Sequence, residues 1–188
     1  MTMRLFVAFD PGEEVLGRIE EARARVRGKA ARAKWVRVEG MHVTLVFLGE
    51  VPDAGDVVER ARAVASQHAP MTLRFEGAGC FGGRKARVLW VGVGGEVAAL
   101  CAVQKELSTA LADLGQGPED RAYSPHLTLA RAGESRGEPG FAEIAKELGG
   151  ELFGEIVLRE IVVYRSELSR EGAKYTAVAR LPFEGQSA

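Results

Sequence analysis

The tetrapeptide His42-Val43-Thr44-Leu45 returns as His126-Leu127-Thr128-Leu129, an offset of 84 residues in a chain of 188. The chain holds only three histidines and six threonines, so two histidines that share threonine at +2 and leucine at +3 form a pattern. The offset carries more than the tetrapeptide. A stretch from Glu13 with Val15, Ile19, Ala22 and Val26 at helical spacing maps onto one beginning near residue 97. Leu5 maps onto Leu89, Val91 onto Tyr175, and the extended run near residue 71 onto residue 155. A repeated supersecondary unit buries its apolar face against its copy. Two βα lobes related by a pseudo-twofold axis follow, with the H-x-T-L strands facing each other across a groove.

The elements between these landmarks read plainly. Strands are expected over Arg4–Phe9, a short piece at Trp35–Val38, His42–Leu48, Met71–Phe75, Arg87–Val93, Tyr123–Ala130, Leu152–Leu158, Glu160–Arg165 and Lys174–Leu181. Helices are expected over Glu13–Arg27, Asp56–Gln67, Glu96–Leu114 and Phe141–Leu148. The glycine-rich stretch 77–83 reads as a loop between two strands. Residues 1–183 are taken as one two-lobed domain and 184–188 as a frayed tail.

Side chains two apart on a strand share a face. His42 and Thr44 therefore point one way while Val43 and Leu45 point into packing, and the second copy repeats this. Two imidazoles and two hydroxyls around one groove suit phosphoryl transfer. In-line displacement at phosphorus needs a base on the attacking oxygen and an acid on the leaving oxygen. Imidazole serves either role near neutral pH. Hydroxyls can donate to the non-bridging oxygens, where charge accumulates. His68 lies outside the pattern and reads as a helix-end residue.

Other chemistries fit less well. Zinc needs three or four protein ligands, and only two histidines are organised, so neither metal nor cofactor is expected. Cys80 and Cys101 have no metal or disulfide spacing. The absence of G-x-S-x-G disfavours a serine hydrolase, and the glycine stretch opens no helix, which disfavours dinucleotide binding. The N-terminal residues lack a secretory pattern and no apolar run can span a bilayer, so a cytoplasmic protein without membrane association is expected. The formal net charge is −1, yet residues 18–37 carry eight basic and two acidic side chains and residues 133–160 three basic and seven acidic. A basic edge beside the first motif and an ordinary solvated helix face are both compatible with that split.

At this point the chain resembles the two-histidine (2H) phosphoesterases, and within them the RNA 2′,3′-cyclic phosphodiesterases also called 2′-5′ RNA ligases (LigT-like). The paired motif carries the superfamily. RLFVAFD at 4–10, WVRVEGMHVTLVFLGEV at 35–51, FGGRKARVLWVGV at 81–93, SPHLTLAR at 124–131 and YRSELSREGAKYTAVARLPF at 164–183 carry the branch. The resemblance implies an α+β fold of two pseudo-symmetric βα lobes, with antiparallel sheets flanking a central cleft. It implies hydrolysis of RNA 2′,3′-cyclic phosphate ends to 2′-phosphates, with a possible reverse 2′-5′ ligation; a monomer with no obligate protein partner is expected. His42 would be the proton donor to the leaving oxygen and His126 the acceptor from water, though pseudo-symmetry leaves these roles exchangeable. Thr44 and Thr128 would hold the phosphate.

Further candidate contacts are Arg131, Arg84 with Lys85, and Tyr123 with Phe47 and Phe81 as base-stacking rings. Strand parity argues against two of them. Arg131 would point away from the groove unless the strand bulges first, and Phe47 shares the parity of the core residues Val43 and Leu45. A small cyclic phosphate as substrate and an RNA-end-binding module without turnover stand as the alternatives.

Overall fold

The structure, a computed structural model, describes residues 2–83, 85–117, 122–133, 137–169 and 172–186. The chain runs β1 (Met3–Phe9), α1 (Glu13–Val26), β2 (Lys34–Trp35), β3 (Val43–Val51), α2 (Gly55–Ala65), β4 (Met71–Phe81) and β5 (Val88–Gly95). It continues with α3 (Val97–Ala110), β6 (His126–Arg131), α4 (Gly140–Leu148), β7 (Leu152–Leu158), β8 (Glu160–Ser169) and β9 (Gly172–Pro182). α1 forms because Val15, Ile19, Ala22 and Val26 make one buried stripe, while Glu13 and Glu14 in the first turn and Arg23 and Arg25 in the last complement the helix dipole.

All strands join one curled antiparallel sheet in the order β7-β4-β5-β6-β3-β1-β8-β9, with β2 added beside β6. The two H-x-T-L strands, β6 and β3, lie side by side at its centre. Four strands on one side, β3-β1-β8-β9, mirror four on the other, β6-β5-β4-β7. This is the two-lobed α+β architecture expected, with two differences: the motif strands do not face each other across a groove but pair directly within one continuous sheet, and the helices are shared between the lobes. The lobes interleave: α2 and α3 cover the first lobe, α1 and α4 the second. Each lobe thus takes one helix from each repeat, and the two repeats cannot separate without exposing both cores. The counterpart of β4 is accordingly β8, which lies against β1 as β4 lies against β5, and not the segment at residue 155.

The sheet has two unlike faces. Leu5, Val7, Phe9, Val43, Leu45, Leu89, Val91, Leu127, Leu129, Ile161 and Val163 are buried in the core under the helices. Among the described residues the other face carries no α-helix, and it bears His42, Thr44, His126 and Thr128.

Several local readings change: β6 starts at His126 and not Tyr123, β3 at Val43 and not His42, α3 ends at Ala110 and not Leu114, and the short extended piece is β2 over Lys34–Trp35. Gly77–Phe81 is strand, not loop: β4 runs on to Phe81, with the extra residue of a bulge absorbed at Gly77, whose φ is +65°. Gly79 has no side chain because the Trp90 ring occupies that space; a Cβ there would lie 2.3 Å from it. Gly185, in the stretch expected to fray, is also held, since its N–H donates to the His68 carbonyl at 2.9 Å.

Part of the charge asymmetry is internal. Lys29 bridges Glu143 at 2.6 Å and Glu147 at 2.7 Å, and Arg25 pairs with Glu151. The basic first stretch and the acidic later one thus meet across α1 and α4.

Candidate active site

β3 and β6 pair antiparallel at Val43 and Leu127. One step either way along that register sets Thr44 opposite His126 and His42 opposite Thr128. Directly opposed residues share a face, with Cβ atoms roughly 4.5–5.5 Å apart. The four polar side chains therefore mark a quadrilateral in which the histidines occupy one diagonal and the threonines the other. All four are half-buried, whereas Val43 and Leu127 are fully buried behind them.

Each imidazole is held in the same way. His42 Nδ1 lies 2.9 Å from the Gly40 carbonyl oxygen and His126 Nδ1 lies 2.8 Å from that of Ser124, two residues upstream in both cases. A carbonyl only accepts, so each Nδ1 carries a proton and each Nε2 is left to accept one or, when charged, to give one. Burial lowers the pKa of His42 below its ordinary value, with a smaller push from the Arg131 charge, against the opposing pull of the Gly40 carbonyl and of Asp10.

Aromatic rings frame both histidines. Phe6 lies 4.8 Å from His42 between ring centres, and Tyr175 meets it edge-on at 5.1 Å. Tyr164 stacks on Phe6 at 5.3 Å, and its hydroxyl donates to Asp10 at 2.8 Å. Burial and that carboxylate both raise the Tyr164 pKa, keeping the phenol a donor. On the other side Phe81 meets His126 edge-on at 4.9 Å, and Trp90 lies 6.3 Å away. None of Phe6, Tyr164, Tyr175, Trp90 and Asp10 is among the site residues expected from the sequence, although all five lie in the flanking stretches that carry the resemblance, and the offset of 84 relates Phe6 to Trp90 and reaches Tyr175 from Val91.

The sheet register overturns the parity argument at two positions. Ala130 pairs with Leu89 and Thr128 with Trp90, so Leu129 is an extra residue, the centre of a bulge. Likewise Ala8 pairs with Thr44 and Val7 with Val46, which makes Leu45 the extra residue in the first copy. The leucine of both H-x-T-L motifs is thus a bulge that flips the alternation after it. Arg131, opposite Val88 and two residues from Trp90 in pairing, returns to the histidine-bearing face, and its charge is felt by His42. Phe47, opposite Phe6, returns too. It is no part of the core, and the Arg4 guanidinium lies 5.0 Å from its ring centre.

The remaining candidates are placed as follows. Tyr123 is half-buried with its hydroxyl donated to the Thr44 carbonyl at 3.0 Å, so it braces the seam between β3 and β6. Burial raises its pKa, which keeps it a donor. Phe81 is 37% exposed beside His126. Lys85 is exposed, and Arg84 lies outside the described residues. His68 follows α2, and its Nε2 lies 2.9 Å from a Glu106 carboxylate oxygen. Among the described residues no three His, Cys, Asp or Glu side chains converge as a metal site would require. No helix among them is long and apolar enough to cross a membrane.

Two opposed imidazoles with free Nε2 atoms, two hydroxyls between them and a two-lobed sheet define a phosphoesterase of the two-histidine class. The sequence model of the 2′-5′ RNA ligase superfamily matches residues 11–169, and the chain belongs to that family. An RNA 2′,3′-cyclic phosphodiesterase of Aeropyrum pernix is 32% identical over 164 residues, covering 86% of this chain and 92% of the relative. Among solved structures, TT0787 of Thermus thermophilus superposes with a TM-score of 0.80 at 30% identity, covering 98% of this chain and 100% of that one. LigT of E. coli, solved with 3′-AMP, gives 0.76 at 26% identity over 97% of this chain and 99% of its own.

Proposed function

We propose that this protein hydrolyses 2′,3′-cyclic phosphate ends of RNA to 2′-phosphates without a metal ion. Water attacks phosphorus as His126 Nε2 takes its proton. The bond from phosphorus to O3′ breaks, and O3′ takes a proton from His42 Nε2. The Thr44 and Thr128 hydroxyls donate to the two non-bridging oxygens, and Arg131 offsets the charge that grows on them. With a 5′-hydroxyl in place of water, the same displacement of O3′ yields a 2′-5′ linkage and frees the 3′-hydroxyl.

The observation that carries this reading is the matched pair of imidazoles, each fixed through Nδ1 on a backbone carbonyl and set on opposite corners of the quadrilateral. That arrangement serves proton transfer on two sides of one phosphorus atom, and a binding module needs no such pair. The relatives named for RNA 2′,3′-cyclic phosphate chemistry support the substrate. The test is incubation in EDTA with an oligonucleotide ending in a 2′,3′-cyclic phosphate, followed by identification of the product end. A 2′-phosphate is expected. A 3′-phosphate, or no turnover, overturns the proposal.

A further inference from the structure

The pseudo-twofold axis relates position 131 to position 47, because 47 plus 84 is 131. Both follow a bulged leucine, and both return to the histidine-bearing face. One is an arginine and the other a phenylalanine, so the two ends of the site differ chemically at this point. Arg131 lies at the His42 end, where its charge is felt. The end beyond Thr44 and His126 has Phe47, with the Arg4 guanidinium set over its ring at 5.0 Å. Arg4 is two residues from Phe6 on β1, which places it on the same face. A cation therefore stands at each end of the row.

Among the described residues no carboxylate pairs with Arg4. Glu50 is its cross-strand neighbour, yet no ion pair joins them, and the contact Arg4 makes is with the Phe47 ring. An arginine seated on a ring is held in a fixed direction while its N–H groups remain free for an anion. Arg4 stands four residues along β1 from Ala8, the partner of Thr44, about 13 Å at strand rise. That is too far for it to share the phosphate held by the threonines.

We propose that Arg4, positioned by Phe47, binds a second phosphate of an RNA chain, a phosphodiester outside the reacting cyclic phosphate. The inference rests on the RNA-end reading above and makes the preferred substrate an oligonucleotide over a mononucleotide. Arg4 takes no part in the chemical step. It supplies binding at the end of the site away from Arg131, and Glu50 tempers it.

The test compares adenosine 2′,3′-cyclic phosphate with a short oligoadenylate ending in the same group, from low to high KCl. For Arg4→Gln, the ratio of kcat/KM for the oligonucleotide to that for the mononucleotide is expected to fall about fivefold. The slope of log(1/KM) against log salt for the oligonucleotide should flatten by about 0.7, the signature of one lost contact to a single strand. Arg4→Lys should keep the slope, because it keeps the charge, and Glu50→Gln should raise the ratio. An unchanged ratio and slope in Arg4→Gln overturn the inference, as does an equal loss on both substrates, which would mark a role in folding or at the reacting phosphate. Failure of the wild type to hydrolyse either substrate defeats the RNA-end reading instead.

Discussion

Replacing His126 with asparagine isolates the proposed base with little disturbance to the strand. The asparagine amide can offer an N–H where Nδ1 offers its own to the Ser124 carbonyl at 2.8 Å, so the start of β6 keeps its anchor. What is lost is Nε2. Removing a general base lowers the rate by about 10²–10⁴-fold, or about 2.7–5.4 kcal/mol of transition-state stabilisation at 1.36 kcal/mol per decade. Adding His42→Asn should cost much less than a second such factor. The two histidines act as one unit, and the residual rate then comes from the threonines and Arg131. The assay is kcat/KM against pH on an oligonucleotide 2′,3′-cyclic phosphate, which reports the free enzyme. The wild type should give a bell. His42, as acid, must be protonated, and its pKa lies below the ordinary value, so activity should fall on the alkaline side from a midpoint below about 6.5. His126→Asn should abolish the limb that rises on the acid side, and His42→Asn the limb that falls on the alkaline side. The opposite assignment of limbs would exchange the two roles. A flat wild-type profile from pH 5 to 9, or a double variant with wild-type rates, would refute proton transfer by these imidazoles altogether.

Three further outcomes test the scaffold. Tyr123→Phe removes the hydroxyl that bonds the Thr44 carbonyl and should cost about 0.5–1.5 kcal/mol, seen as a fall in Tm of roughly 2–4 °C per kcal/mol for a chain of this size; an unchanged Tm would mean the seam does not depend on it. Gly79→Ala forces the Trp90 ring away from the space it fills and should cost about 1–3 kcal/mol, with a change in indole fluorescence and a loss of activity through Phe81 and His126; a variant with native stability and rate would show that the ring has another resting place. The neutral form of His42 is favoured by the fold, so the unfolded chain binds the extra proton first. Stability should therefore decline as pH drops from about 6.5 towards the lowered pKa, and urea unfolding of His42→Asn should show a shallower dependence over that interval.

Much of this architecture is legible in one repeat. The period of 84, the helical stripe Val15-Ile19-Ala22-Val26 and the alternation around His42 and His126 are local patterns, and local patterns survive reading residue by residue. The interleaving of the lobes is not local. Which lobe a helix covers depends on how β4 and β8 cross the central seam, and the helices carry no mark of that choice in their own apolar faces. The ion pairs of Lys29 with Glu143 and Glu147 span more than a hundred residues, so the basic stretch could not show that it already had acidic partners. The aromatic ring set around His42 is assembled from β1, β8 and β9, and of its rings Phe6 has an aromatic counterpart, Trp90, at the offset of 84.

The two failures of parity, at Arg131 and Phe47, have one cause. Alternation along a strand holds only while each residue has one partner across the sheet, and a bulge adds one residue without one. Leu45 and Leu129 have ordinary strand chemistry, so nothing in their side chains announces the extra residue; the pairing with Val7–Ala8 and with Leu89–Trp90 reveals it. The consequence is functional. Without the bulges, the residue three places after each threonine would point into the helix-covered core, where an arginine would be buried unpaired at a cost of several kcal/mol. With them, each motif delivers a third side chain to the open face beyond its histidine and threonine. The scaffold repeats that delivery twice, and the chain uses it differently each time, for an arginine at 131 and a phenylalanine carrying Arg4 at 47. The pseudo-symmetric pair of imidazoles leaves the substrate's direction undetermined. This third position is where the two halves of the site stop being equivalent, and a substrate with a distinct phosphate end and a distinct chain end can tell them apart.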